Sequence, residues 1–254
     1  MWQKAWLETR WRFLIGLAVL VMLACGGVFE YPATARLLPA ARSMQPDGGL
    51  VGRAIRDAIA IQSDYRGFIW WQWVRQNFTQ LWSLFAILLG SGGLIGQGAS
   101  GALFTLSMPV SRTKVIGVRA AVCFAELLIL ALVPSMLIPV LSPAIGETYP
   151  FRAALVHALC MSVGGACIFS FALLMSTTFT DLWRPALVTC AIVIGLALVE
   201  TALRQSGPYG LFAVMSGERY FREAAVPWAS LLISFGVAAS LLYGAAGNLS
   251  QQDF

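Results

Sequence analysis

The chain has 254 residues, 58% of them hydrophobic and 11% charged, with a mean hydropathy of +0.74. So little charge excludes an ordinary soluble domain, where about a quarter of the residues are charged, and points to an integral membrane protein. The formal charge of +5 does not imply nucleic-acid binding, because the cations are scattered and suit helix-end anchors at lipid headgroups.

A bilayer-crossing helix needs about 20 mostly apolar residues. Six runs meet that demand: near Phe13 to Phe29, Phe78 to Gln97, Gly117 to Val140, Arg152 to Ser176, Pro185 to Leu203 and Trp228 to Gly247. They predict an all-α membrane protein with six transmembrane helices in one domain spanning 1–254. No small-residue cleavage site follows the first run, which reads as a retained span. An even number of spans puts both termini on one side.

Residues 1–12 read as an interfacial elbow helix. Trp2, Trp6 and Phe13 share one stripe, while Lys4, Glu8 and Arg12 follow at i, i+4, i+8 on another, a pattern suited to the headgroup level. Residues 30–77 form the longest segment outside the spans. Pro32, Pro39, Pro46 and Gly48-Gly49 predict turns, and Leu50, Val51, Ala54, Ile55, Ala58 and Ile59 then predict an amphipathic helix on the outer surface. Trp70, Trp71 and Trp73 mark an aromatic belt before the second span, or a grip on a sugar or lipid head group.

Glycines crowd the end of the second span: Gly90, Gly92, Gly93, Gly96, Gly98 and Gly101. They allow close helix packing or a hinge. The third span carries Pro134 and Pro139, with Pro143 just beyond, which predict a bend or an end near its outer face. Ionisable groups within spans default to functional hypotheses, and Glu126, His157 and Glu200 qualify. Glu126 is the deepest, and pathway lining, pairing across a dimer interface or proton carriage are all open to it. Residues 204–227 are too short to span and too apolar for a simple loop, and predict broken outer helices dipping into the membrane. Cys25, Cys123, Cys160, Cys167 and Cys190 all lie in apolar runs without a metal-like spacing, as small packing residues do.

Residues 98–114 form a short polar connection between the second and third spans, and contain Leu106-Ser107-Met108-Pro109-Val110-Ser111-Arg112 followed by Lys114. This wording resembles the loop after the second span of ABC-2 type permeases, the membrane subunits of a class of ATP-binding-cassette transporters. The ending Gln252-Asp253-Phe254 is similar to the R-D-F ending common among them. The resemblance implies a cytoplasmic coupling helix docking on an ATPase subunit through Leu103, Phe104, Leu106, Met108, Pro109 and Arg112. An acidic residue often found shortly before that helix is missing from Gln97-Gly98-Ala99-Ser100-Gly101-Ala102, so docking rests on the apolar ridge and Arg112. The resemblance further implies short outer helices before the last span, two ATPase copies, a second permease subunit in a homodimer, and export as the direction of transport.

By raw count of cations, the positive-inside rule fails for this chain. Seven cations lie with the amino-terminal tail, the 98–114 loop with nearby Arg119, and Arg184, against ten on the opposite face. The dense tail and short loop carry more weight than charges in long segments, which places both termini in the cytoplasm of a bacterial inner-membrane protein, in contact with lipid and not with nucleic acid.

No G-x-x-x-x-G-K-[ST] phosphate loop is present, so ATP and Mg belong to the partner ATPase and this chain binds no cofactor or metal. There is no HExxH or GxSxG, and a single histidine leaves little for a hydrolytic triad, so the chain is not read as an enzyme. The competing expectation is an ATP-independent secondary carrier or channel using Glu126.

Overall fold

The computed structural model describes residues 2–43, 52, 58–92, 112–179, 181, 183–203 and 210–251, with the side chains of 38–43, 112, 113, 115, 116 and 249–251 left aside. Helices account for nearly all of it, and no strand occurs among the described residues. That follows from the composition: an apolar chain in lipid must satisfy its backbone polar groups internally, and a helix does so within one segment.

Helix α1 (Trp2–Ser43) is a single helix of 42 residues. Phe13, Leu20, Ala24 and Val28 form its buried stripe. The first dozen residues are its opening turns rather than a separate elbow, and the turns expected at Pro32 and Pro39 do not form. Between them the chain reads Ala33-Thr34-Ala35-Arg36-Leu37-Leu38, mostly strong helix formers, and their propensity carries the helix through both prolines. Most of the expected outer amphipathic helix lies outside the described residues.

A second helical run begins with α2 (Tyr65–Phe68), widens into a π-helical stretch (Ile69–Phe78) and continues as α3 (Thr79–Gly90). Asp64 caps its start by accepting from the Gly67 amide. The widened turns are held by side chains as well as backbone: Asn77 Nδ2 donates to the Gln72 carbonyl at 2.9 Å, and the Thr79 hydroxyl to the Val74 carbonyl at 2.7 Å, each five residues back. The wider turn changes which side chains face inward. Trp70 and Trp73, expected in a lipid-facing belt, are 0% and 1% exposed, and Trp70 Nε1 donates to the Ser216 carbonyl at 3.0 Å.

Helix α4 (Arg112–Leu141) contains Pro134 and Pro139 without ending there. It stops at a 3₁₀ turn (Ser142–Ile145) that holds Pro143 and is closed by Gly146 in the left-handed conformation, φ 80°. Helix α5 (Phe151–Thr178) is the centre of the bundle, packed against α3, α4, α6 (Trp183–Leu203) and α9 (Trp228–Gln251). Its small residues make that possible. Gly165 lies beneath the Trp82 indole, whose ring atoms occupy the space a Cβ would need, while Trp82 Nε1 donates to the Leu127 carbonyl at 3.1 Å. One tryptophan thereby ties α3, α4 and α5 together. Helices α7 (Leu211–Met215) and α8 (Glu218–Glu223) are the short pieces between α6 and α9.

Among the described residues, five helices are long and apolar enough to cross a membrane: Trp2–Leu37, Gly117–Ile145, Phe151–Thr178, Trp183–Leu203 and Trp228–Asn248. The protein is an all-α, multi-pass membrane protein. The described part of the expected second span is α3, and residues 93–97 lie outside the description. The run Tyr65–Gly90 nonetheless travels the length of the bundle. Tyr65 meets Ser142 at the end of α4 (2.7 Å), and Leu88 accepts from Arg12 near the start of α1 (2.8 Å).

Candidate functional site

The strongest concentration of polar chemistry lies where the start of α1, the end of α3 and the first half of α4 meet. Glu8 and Thr9 share one turn of α1 with Arg12 on the next, and Arg119, Cys123 and Glu126 occupy successive turns of α4, so each helix presents one polar stripe to the other. The Thr9 hydroxyl donates to Glu126 Oε1 at 2.5 Å. It also lies 3.2 Å from the Ala5 carbonyl and 3.4 Å from the Trp6 carbonyl, leaving three acceptors for one hydrogen. Arg119 pairs with Glu8 at 3.7 Å, with both side chains largely shielded.

The same cluster grips the end of α3. Arg12 Nη1 donates to the Leu88 carbonyl at 2.8 Å, and the Cys123 thiol points to the Leu89 carbonyl at 3.8 Å. Carbonyls at a helix C-terminus lack intrahelical donors and carry the negative end of the dipole, so cations there are favourable. Gly92 sits against both guanidiniums, where a Cβ would lie 2.5 Å from Arg12 Nη1 and 3.3 Å from an Arg119 nitrogen. A larger residue would displace them. The Glu8 and Arg12 stripe, expected to face headgroups, is thus turned into the bundle.

Glu126 is 2% exposed, and its Oε2 is buried without a hydrogen-bond partner. Half of this carboxyl is held by Thr9 and half is not. An arrangement of that kind can anchor two helices or accept a proton on the free oxygen.

His157 and Glu200 lie at the opposite end of the bundle, away from Glu126. His157 is 2% exposed on α5, its ring edge-on to Tyr220 at 5.7 Å between centroids, with neither ring nitrogen hydrogen-bonded. Gly217, at φ 62°, lies against it, and a Cβ there would fall 2.8 Å from Nδ1. Glu200 on α6 accepts from the Phe212 and Ala213 amides at 2.9 and 2.7 Å, closing the open N-terminus of α7. Its chemistry is that of a cap. Tyr149, in the connection between α4 and α5, is buried nearby, and desolvation pushes its phenol above the ordinary range, so it remains neutral. The three ionisable groups singled out within the spans are therefore divided between two ends of the bundle.

Leu103, Phe104, Leu106, Met108 and Pro109 lie outside the described residues, while Arg112 opens α4 with its side chain outside the description. What the structure gives is the stem on either side of that loop, braced by Arg12 and Arg119. Thr9 was not distinguishable in the sequence: nothing in a threonine two turns into a helix signals a carboxylate 117 positions later. Cys160 and Cys167, like the other three cysteines, are free thiols. Comparison with known families, with curated proteins and with solved structures gives no match.

Proposed function

We propose that this chain is the membrane-spanning subunit of an ATP-driven transporter of the ABC-2 type, working as a pair of permease chains with two separate ATPase subunits. The observation that carries this reading is the brace at the base of the 93–111 segment. Its two stems are each bonded to α1, the end of α3 through Arg12 and the first turns of α4 through the Arg119–Glu8 pair. A push on the intervening segment would reach three helices at once, which is what a docking loop for an ATPase requires. The wording Leu106-Ser107-Met108-Pro109-Val110-Ser111-Arg112 supplies the partner's identity by resemblance.

In this reading the five long apolar helices and the run Tyr65–Gly90 make six spans, with both termini and the 93–111 segment in the cytoplasm of a bacterial inner membrane. The short helices α7 and α8 serve as the outer helices before the last span. ATP binds and is hydrolysed on the partner, closure of the ATPases drives the coupling segment, and export is the direction favoured by the family resemblance. Phe104→Ala combined with Arg112→Ala is expected to release the ATPase from the purified membrane complex or to uncouple hydrolysis from transport while the helices stay folded. A double variant that keeps its ATPase and its transport rate would overturn the proposal.

A second reading draws on the unpaired Glu126 Oε2. A carrier driven by an ion gradient would use that oxygen as its proton site and need no ATPase. Substrate flux in liposomes holding the chain alone, driven by a proton gradient and abolished by Glu126→Gln, would favour the carrier.

A further inference from the structure

The i→i+5 bonding of the π stretch brings residues four and five apart over one another. Arg66, Trp70, Trp71 and Arg75 therefore share one stripe at the end of the bundle opposite Glu126. Arg75 lies over the Trp71 ring at 4.3 Å and over Trp70 at 5.8 Å, Trp70 stacks on Phe221 of α8 at 4.3 Å and 3°, and Arg66 lies over Phe221 at 5.8 Å. The aromatic faces hold both guanidiniums in place by cation–π attraction.

Charge balance separates these two arginines from their neighbours. On α8, Arg219 pairs with Glu223 at 2.8 Å and Arg222 with Glu218 at 2.9 Å. Among the described residues no carboxylate pairs with Arg66 or Arg75, and Arg66 Nε and Arg75 Nη1 are buried without an acceptor. A guanidinium carries donors only and cannot be neutralised by losing a proton, and both side chains are partly exposed, so two cations held here without a carboxylate suit an oxyanion approaching from the exposed side. Arg66 lies in the first turn of the run Tyr65–Gly90, beside tryptophans, a residue type enriched at the membrane–water interface.

We propose that the Arg66–Trp70–Trp71–Arg75 stripe, with Phe221, is a binding site for a phosphate head group carried by an amphiphile. The guanidiniums take the phosphate oxygens, the partly exposed Trp71 indole lies beside the first carbons of the apolar part, and buried Trp70 holds Arg75 from within. The site is independent of the ATP-driven reading, and its test measures binding, not transport or hydrolysis.

The full chain, purified in detergent, is titrated by native mass spectrometry with dioleoylphosphatidylglycerol and, separately, with dioleoylphosphatidylcholine. The phosphatidylglycerol adduct is expected at about tenfold lower lipid concentration. Arg66→Gln with Arg75→Gln should bring the two lipids level, whereas Arg184→Gln, which removes an exposed cation paired with Asp181, should leave the preference intact. Excess inorganic phosphate distinguishes the sources: displacement of the lipid assigns the site to phosphate alone, and persistence assigns it to the lipid as a whole. Equal affinity of the unaltered chain for both lipids would overturn the proposal without any variant, and so would a folded double variant that keeps its preference. Should the glutamine pair fail to fold, Arg66→Lys with Arg75→Lys keeps the charges but loses the planar fork; it is expected to retain a weakened preference, and an undiminished one would count against guanidinium recognition.

Discussion

Thr9 and Glu126 stand 117 positions apart and meet through a hydrogen bond of 2.5 Å between α1 and α4. The bond joins the first turns of the chain to the middle of a buried helix, and Arg12 and Arg119 extend the contact to the end of α3. Three helices are thereby fastened at the end from which the 93–111 segment emerges.

Thr9→Val removes the donor to Glu126 while keeping the side chain's shape. The loss of a buried hydrogen bond to a carboxyl is expected to destabilise the protein by about 1.5 to 3 kcal/mol, read as a lowered melting temperature in detergent. Glu126→Gln retains an acceptor for Thr9 and should melt close to the unaltered protein. Loss of transport in this folded variant would show that the carboxyl does more than fasten helices. If both variants melt alike, Thr9 is not the partner that matters.

Gly165→Ala places a Cβ within the Trp82 ring and forces the indole away from the Leu127 carbonyl. Overpacking of this kind costs about 1 to 3 kcal/mol. A cysteine pair bridging α3 and α5 should form less readily in the variant. Gly195→Ala, where a Cβ would meet nothing within 4 Å, is the control and should change neither measurement.

Glu200→Ala leaves the Phe212 and Ala213 amides without their acceptor. The expected result is faster hydrogen exchange confined to residues 211–216, reflecting a local loss of about 0.5 to 2 kcal/mol, with the long helices unaffected. Exchange unchanged in α7 would mean that packing on α5 alone holds it.

The proposed topology predicts labelling from one side only. With the native cysteines removed, cysteines at Gln3, Thr113 and Gln251 should react from the cytoplasm, and ones at Asp47 and Glu223 from outside. Glu223 suits the purpose because it is half exposed, whereas neighbouring Ser216 is buried. Labelling of Thr113 from outside would invert the topology and remove the ATPase from reach of the loop.

The apolar runs alone determined that this is an all-α membrane protein and where five long helices lie, because hydropathy over a span-length window depends on local composition and on the backbone's need to bond to itself. Glu126 could likewise be singled out, since a carboxyl far from either end of an apolar run is conspicuous without coordinates. Tertiary structure decided the rest. Prolines at 32 and 39 read as breaks but lie within α1, because neighbouring helix formers and helix packing outweigh a local preference. Trp70 and Trp73 read as a lipid-facing belt but are buried: Trp70 bonds to the Ser216 carbonyl and stacks on Phe221, while Trp73 stacks on Phe78 and lies against Gly27 of α1. Glu126 and Glu200 both lie in apolar runs, but the sequence did not name the partner of either: one is half-paired against Thr9 of α1 and the other caps α7. Periodicity gives each helix its faces, but which residue of a distant helix meets a face depends on the packing of the whole bundle.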